Sequence, residues 1–245
     1  MKLQIYIIFH RTIYDICYSS IPQEYLDKYF TFVAVNNNIE KIYTKNKYKV
    51  INEWDFLIYN EDFQRLGYLD NSVIYHIYAN NLHKNYDYIG FFQYDMFFQN
   101  NFIDLLENII NTSNDKISFE LNRSSIPFNY LYNDYSNNDL IEYIINDYEI
   151  HFNKKCSRNK MYPLFNAYII PSESYDKCME WVVKLYDKIY DYATKPPSPT
   201  HYAHIAGVYE RIMALFIGEE FEKRYNLDII HDHDFKDKIN EYNKH

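Results

Sequence analysis

The chain is built from short apolar runs that stop abruptly in polar clusters, and that alternation limits the folds open to it. Leu3 to Phe9 is apolar and aromatic and ends in His10-Arg11-Thr12. Phe30 to Val35 closes on Asn36-Asn37-Asn38, and Tyr88 to Phe92 closes on Gln93-Tyr94-Asp95. Unbroken runs of this length read as strands buried on both faces. Further strands are predicted at Lys116–Phe119, Leu164–Ile170 and Leu227–Ile230. Helical patterning separates them. Pro22 to Leu26 has Pro at a first turn, and Asp70-Asn71-Ser72 starts a helix over Val73–Leu82. Phe102–Ile110 is a third helix, and Asp139–Tyr148 lies inside a polar excursion, Asn122–Lys160. After Pro171-Ser172, the spacing of Cys178, Trp181, Val182, Leu185 and Ile189 marks one buried stripe. A stiff Lys195-Pro196-Pro197-Ser198-Pro199 loop precedes a helix over Ala203–Ile217, which buries Ile205, Val208, Ile212 and Phe216. Strands alternating with helices predict an α/β fold with a mostly parallel central sheet flanked by helices.

At 245 residues, with no repeat and no hinge, one domain over 1–245 is expected. Hydrophobic residues at 47% against 24% charged exclude disorder as the main state. Lys and Arg number 25 against 34 Asp and Glu, so the net charge is −9 and a nucleic-acid partner is not expected. Only four glycines are present, which excludes glycine-rich phosphate loops. No run reaches the roughly 18 apolar residues of a membrane span. The start reads as a first strand, not a signal peptide. Cys17, Cys156 and Cys178 have no metal-type spacing, so a reduced, cytoplasmic setting is expected. The 29 tyrosines and 17 phenylalanines are unusual, although an AT-rich genome produces the same excess.

In parallel α/β sheets ligands bind outside the carboxyl ends of the strands. That rule singles out His10-Arg11, Asn36-Asn37 and Gln93-Tyr94-Asp95. Asp95 either caps the loop or the next helix or holds Mg²⁺ or Mn²⁺, whose shell substrate phosphates and water complete. Glu210 lies far round its helix from the apolar stripe, so it is either solvated or aimed into a cleft. Arg211 has a guanidinium able to fork onto a carboxylate or a diphosphate oxygen. His201 and His204, and His231 and His233 around Asp232, have spacings that can bind metal but lack a fixed third ligand.

Three blocks in order carry a family resemblance. They are SVIYHIYANNLHKNYDYIGFFQYDMFF (72–98), FNAYIIPSESYDKCMEWVVKLYDKI (165–189) and AGVYERIMALFIG (206–218). The set resembles the small GT-A-type glycosyltransferases of bacterial surface-polysaccharide clusters and large DNA viruses. Gln93 stands where that family often has His, and Asp95 where it often has Arg. Asp95 thereby resembles half of the Asp-x-Asp metal pattern of GT-A enzymes.

The resemblance implies a transferase moving a hexosyl or deoxyhexosyl group from a nucleotide-diphosphate sugar, a UDP-sugar first, to a glycan or glycoconjugate hydroxyl with inversion. Residues 1–98 would form the donor half and 99–245 the acceptor half. Phe9, His10, Arg11, Val35, Asn36, Gln93, Tyr94 and Asp95 would line the donor, with Asn166 on its sugar and Arg211 on its diphosphate. Asp95 and His231 would hold Mn²⁺ or Mg²⁺. Glu210, matching the family's Glu-Arg-Leu string, would be the general base. Tyr130, Tyr132 and Tyr162 would stack on acceptor sugars. The host's cytoplasm is implied if the chain is viral. Two other readings compete. One is a metal-dependent hydrolase or phosphodiesterase built on His231–Asp234. The other is a non-catalytic, tyrosine-rich glycan-binding protein.

Overall fold

The computed structural model describes residues 2–10, 12–35, 47–113, 115–121, 125–132, 138–194 and 204–231. In chain order the strands are β1 (Leu3–Phe9), β2 (Phe30–Ala34), β3 (Val50–Asn52), β4 (Tyr88–Gln93), β5 (Met96–Phe97), β6 (Ile117–Leu121), β7 (Ser125–Pro127), β8 (Met161–Pro163), β9 (Tyr168–Pro171), β10 (Lys223–Leu227) and β11 (Ile230–His231). The α-helices are α1 (Asp15–Tyr18), α2 (Gln23–Tyr29), α3 (Asp62–Arg65), α4 (Asp70–Ala79), α5 (Phe102–Thr112), α6 (Asn138–Phe152), α7 (Ser172–Thr194) and α8 (His204–Glu220).

Seven strands form one sheet in the order β10-β6-β9-β4-β1-β2-β3. All neighbouring pairs are parallel except those of β9, which runs antiparallel to both β4 and β6. The mostly parallel α/β architecture expected from the alternation is therefore present. Residues of β1 divide between two cores by the strand's period of two. Leu3, Ile5, Ile7 and Phe9 pack with Phe32, Phe92, Phe98 and Phe102 on one side. Tyr6 and Ile8 face the other, with Ile74, Trp181, Ile212 and Phe216 from α4, α7 and α8. Both faces are covered, which is why the run carries no polar alternation.

Three expectations are corrected. The strand predicted over Leu164–Ile170 is only Tyr168–Pro171. Phe165 ahead of it has φ 69°, a left-handed value that a non-glycine strand residue does not sustain. The strand predicted at Leu227–Ile230 is instead two pieces. Lys223–Leu227 joins the main sheet beside β6, and Ile230–His231 pairs with β5. Tyr162 is no sugar platform. It is 0% exposed, and its hydroxyl lies 2.5 Å from Glu219 Oε1 and from the Ser157 carbonyl. The tyrosine content that pointed to stacking goes here to a buried carboxylate. The remaining predicted helices agree with α2, α4, α5, α6, α7 and α8 to within a few residues.

Gly218 of α8 presses against the face of Tyr162, so an added Cβ would overlap the ring carbons Cδ1 and Cε1. Gly218→Ala should cost about 1–3 kcal/mol, the usual penalty for overpacking a filled core. Urea denaturation is the measurement, and an unchanged midpoint would mean that the ring yields freely.

Candidate active site at the carboxyl edge of the sheet

The chain leaves β1 towards β2 and β3 on one side and places β4 on the other. Strand order thus reverses between β1 and β4, and a crevice opens outside their carboxyl ends. His10 follows β1 there, and Tyr94 and Asp95 follow β4. The rings of His10 and Tyr94 meet edge to face at 4.9 Å, and Tyr14 lies 5.4 Å from Tyr94. The Tyr18 hydroxyl donates to the Tyr94 carbonyl at 2.9 Å and anchors the turn that carries Asp95. Asp95 is partly buried, and its charge helps hold the Tyr18 hydroxyl's pKa well up, after burial itself. Across β5, His231 pairs in register with Met96, so the backbone of His231 passes beside the residue following Asp95.

The antiparallel direction of β9 sets the other wall. Tyr168 pairs with Phe91, so Asn166, two residues earlier, stands level with Gln93 at the same edge. Asn166 donates through Nδ2 to Asp70 Oδ2 and to Asn71 Oδ1, each at 2.9 Å. Asn71 in turn donates to the Ala206 carbonyl of α8 at 3.3 Å. Gln93 also hydrogen-bonds the Asp70 carboxylate. Asp70 is the first residue of α4, where the helix dipole favours a carboxylate. Burial nevertheless raises its pKa, against the pull of the Asn166 and Gln93 hydrogen bonds.

Glu210 comes into this group from the second turn of α8. It is partly buried, not solvated. Burial and the nearby Asp70 charge push its carboxyl up to about 7, while Arg211 and a hydrogen bond to the Phe165 backbone pull it down. Arg211 Nη1 is 3.9 Å from Glu210 Oε2 and donates to the Gly207 carbonyl at 2.9 Å. Arg211 is itself buried.

Of the residues singled out from sequence, His10, Gln93, Tyr94, Asp95, Asn166, Glu210 and Arg211 lie along this edge. Phe9 and Val35 are buried in the cores, so their rings and methyls pack with the fold and have no free face for a base. Arg11, Asn36, Asn37, His201, Asp232, His233 and Asp234 lie outside the described residues, as do the side chains of His204 and His231. Sequence reasoning missed Tyr14 and Asp70. Asp70 was legible as a helix start but carried no sign of a partner 96 residues away.

No protein-family profile matches the sequence, and no curated protein matches it. Solved structures do. The apo structure of the bifunctional glycosyltransferase WbbM matches 94% of this chain and 45% of its own, at 14% identity and a TM-score of 0.60. The fold is of the GT-A type. This chain therefore spans less than half the length of that protein. Glucosyl-3-phosphoglycerate synthase from Mycobacterium tuberculosis, in complex with Mg²⁺ and UDP, matches 94% of this chain and 71% of its own, at 10% identity and TM-score 0.44. Mouse xyloside xylosyltransferase 1 matches 93% and 86%, at 14% identity and TM-score 0.41. Among the described residues no helix is long and apolar enough to cross a membrane, and no three His, Cys, Asp or Glu side chains converge as a metal cage.

Glu210 binds its proton more tightly in the folded chain than in the unfolded one. Its contribution to stability is full below the ordinary value of 4.5 and is lost as pH rises through about 7. Glu210→Gln, which cannot ionise, should therefore gain stability relative to wild type as pH goes from about 5 to about 8. Melting temperatures of both proteins across that range are the check. Parallel curves would mean that Glu210 titrates normally.

Proposed function

We propose that the chain is a glycosyltransferase that moves a sugar from a nucleotide-diphosphate donor, a UDP-sugar first, to a glycan hydroxyl with inversion. The observation that carries this reading is Glu210. It is a carboxylate with a pKa near 7, on a GT-A-type fold, at the crevice where strand order reverses. A general base works best when its pKa lies near the operating pH. Glu210 would take the proton from the acceptor hydroxyl as that oxygen attacks the anomeric carbon. Arg211, at 3.9 Å, would hold the carboxylate in place.

The donor would lie along β1 and β4. His10, Tyr14 and Tyr94 offer aromatic faces for the base. The donor set at Asp95 fits a hard divalent cation in the sparse form that Mg²⁺ accepts, with one carboxylate and the remaining positions filled by diphosphate oxygens and water. His231, whose backbone pairs with the residue after Asp95, would be a second ligand. When bound, such a cation supplies Lewis-acid stabilisation to the departing diphosphate. Tyr130, 49% exposed, and Tyr132, whose hydroxyl donates to Glu142 at 2.6 Å, are the tyrosines left for an acceptor glycan. Residues 1–98 would then form the donor half and the remainder the acceptor half. Assembly of a surface polysaccharide is the setting that suits such a reaction. A cytoplasmic setting belongs to the same reading.

The proposed base is tested with Glu210→Gln. Donor affinity should persist while transfer slows by about 10²–10⁴-fold, the usual worth of a positioned base. A folded variant that transfers at the wild-type rate would move the base elsewhere. Asp95→Asn should lower Mn²⁺-dependent affinity for UDP by about tenfold or more while metal-free affinity is unchanged. Calorimetry with and without Mn²⁺ reads this directly.

A further inference from the structure

Asp70 has no task in the reaction described above, yet the fold goes to some length to hold it. It sits between Gln93 and Asn166 at the carboxyl edge, close enough to Glu210 to raise that residue's pKa. A helix start alone would be served by an exposed aspartate.

Asn166 supplies the second observation. Only 3% of the residue is exposed. Its Nδ2 is spent on Asp70 and Asn71, while its Oδ1 is buried with no hydrogen-bond partner among the described residues. Two residues on, the Tyr168 hydroxyl is also buried and without a partner among the described residues, and burial first, with Asp70's charge among the lesser causes, keeps its proton on. Leaving a buried acceptor unmet forfeits the hydrogen bond it made to water, so a bare carbonyl on the amide that grips Asp70 calls for a donor from a ligand. The groups converging here are rich in acceptors: the Asp70 carboxylate, the Glu210 carboxylate and the Asn166 carbonyl, while the Arg211 guanidinium beside them is engaged by Glu210 and the Gly207 carbonyl. Their complement is a ligand group that donates hydrogen bonds and bears no negative charge. A ligand carboxylate would be the third at this point and would lose its water without compensation.

We propose that Asp70 and Asn166 form the subsite that selects the transferred sugar. The subsite accepts the ring hydroxyls, or an amino group, of a neutral or amino sugar and rejects uronic sugars. This inference rests on the glycosyltransferase reading and names the sugar class for that same crevice.

The test is calorimetry on the wild-type protein with Mn²⁺. The probes are UDP and GDP, then matched pairs on whichever nucleotide binds: UDP-glucose against UDP-glucuronate, or GDP-mannose against GDP-mannuronate. The neutral sugar should bind at least about tenfold more tightly than the uronate, as expected where a site built of acceptors meets a group of the wrong polarity. Asp70→Asn should close most of that gap and leave affinity for the bare nucleotide unchanged. Equal binding of the two sugars by wild type, with the nucleotide bound, would overturn this inference alone. A folded Asp70→Asn protein that keeps the full gap would do so as well. If neither nucleotide binds, the glycosyltransferase reading falls and takes this inference with it. The wild-type comparison stands even if the variant does not fold.

Discussion

The grip of Asn166 on Asp70 is the contact on which the site depends. It ties the residues before β9 to the start of α4, and through Asn71 and the Ala206 carbonyl it reaches α8. Three segments far apart in sequence are thus held by one amide and its neighbour. The antiparallel direction of β9 makes this possible. Run parallel, β9 would have left Asn166 at the amino edge, with Gln93 and Asp70 a strand's length away. The left-handed turn at Phe165, an uncommon backbone for a non-glycine residue, lets the chain present its backbone to Glu210 and the next side chain to Asp70.

Comparing the buried carboxylates shows which are structural. Glu53 receives Ser72, Gln64 Nε2 at 3.0 Å and His76 Nδ1 at 2.8 Å. His76 accepts the Asn60 backbone N–H at 2.9 Å on Nε2, which leaves its proton on Nδ1, facing Glu53. Glu219 receives the Ser157 N–H at 2.8 Å and the Tyr162 hydroxyl, with Lys160 at 3.7 Å. These groups are surrounded by donors, as buried charges in a scaffold must be. Glu210 differs. Among the described residues its nearest cation stands off at 3.9 Å, and a second carboxylate is a neighbour whose charge opposes its own. A fold that so readily surrounds carboxylates with donors has left this one poorly compensated at the mouth of the sheet. That is the arrangement expected of a proton carrier.

Much of the fold was legible because burial on both faces leaves a plain mark. Leu3–Phe9 and Phe30–Ala34 read as strands since neither face needs a polar residue. The helix from Ser172 was legible because one apolar stripe runs its length. The short strands were not. Val50–Asn52 is half-buried and only three residues long, and the direction of β9 leaves no trace in its own residues. At the site, position after a strand pointed to His10 and Asp95. The amphipathic face of α8 left Glu210 open between solvent and cleft, and in the fold it is partly buried with a hydrogen bond to the Phe165 backbone. Asp70 was invisible as a site residue because its partners, Gln93 and Asn166, are brought to it by sheet order alone.

The tyrosine excess links the core to the chemistry. Ten of the 29 rings are buried among the described residues, and several of their hydroxyls are spent inside the protein. Tyr175 donates to the Ile74 carbonyl of α4, Tyr29 to Glu107, Tyr48 to Asp15, and Tyr18 to the Tyr94 carbonyl. Each couples a large apolar surface to a specific polar anchor, which Phe cannot do. Tyrosines used in this way are structural members, and a protein whose function was to display them to glycans would keep them outside. Two of these anchors bear on the crevice. Tyr175 fixes the helix whose first residue is Asp70, and Tyr18 fixes the turn that presents Asp95. The aromatic core therefore sets the positions of two of the three carboxylates at the sheet's edge, and a substitution deep in either core should be felt first at those carboxylates.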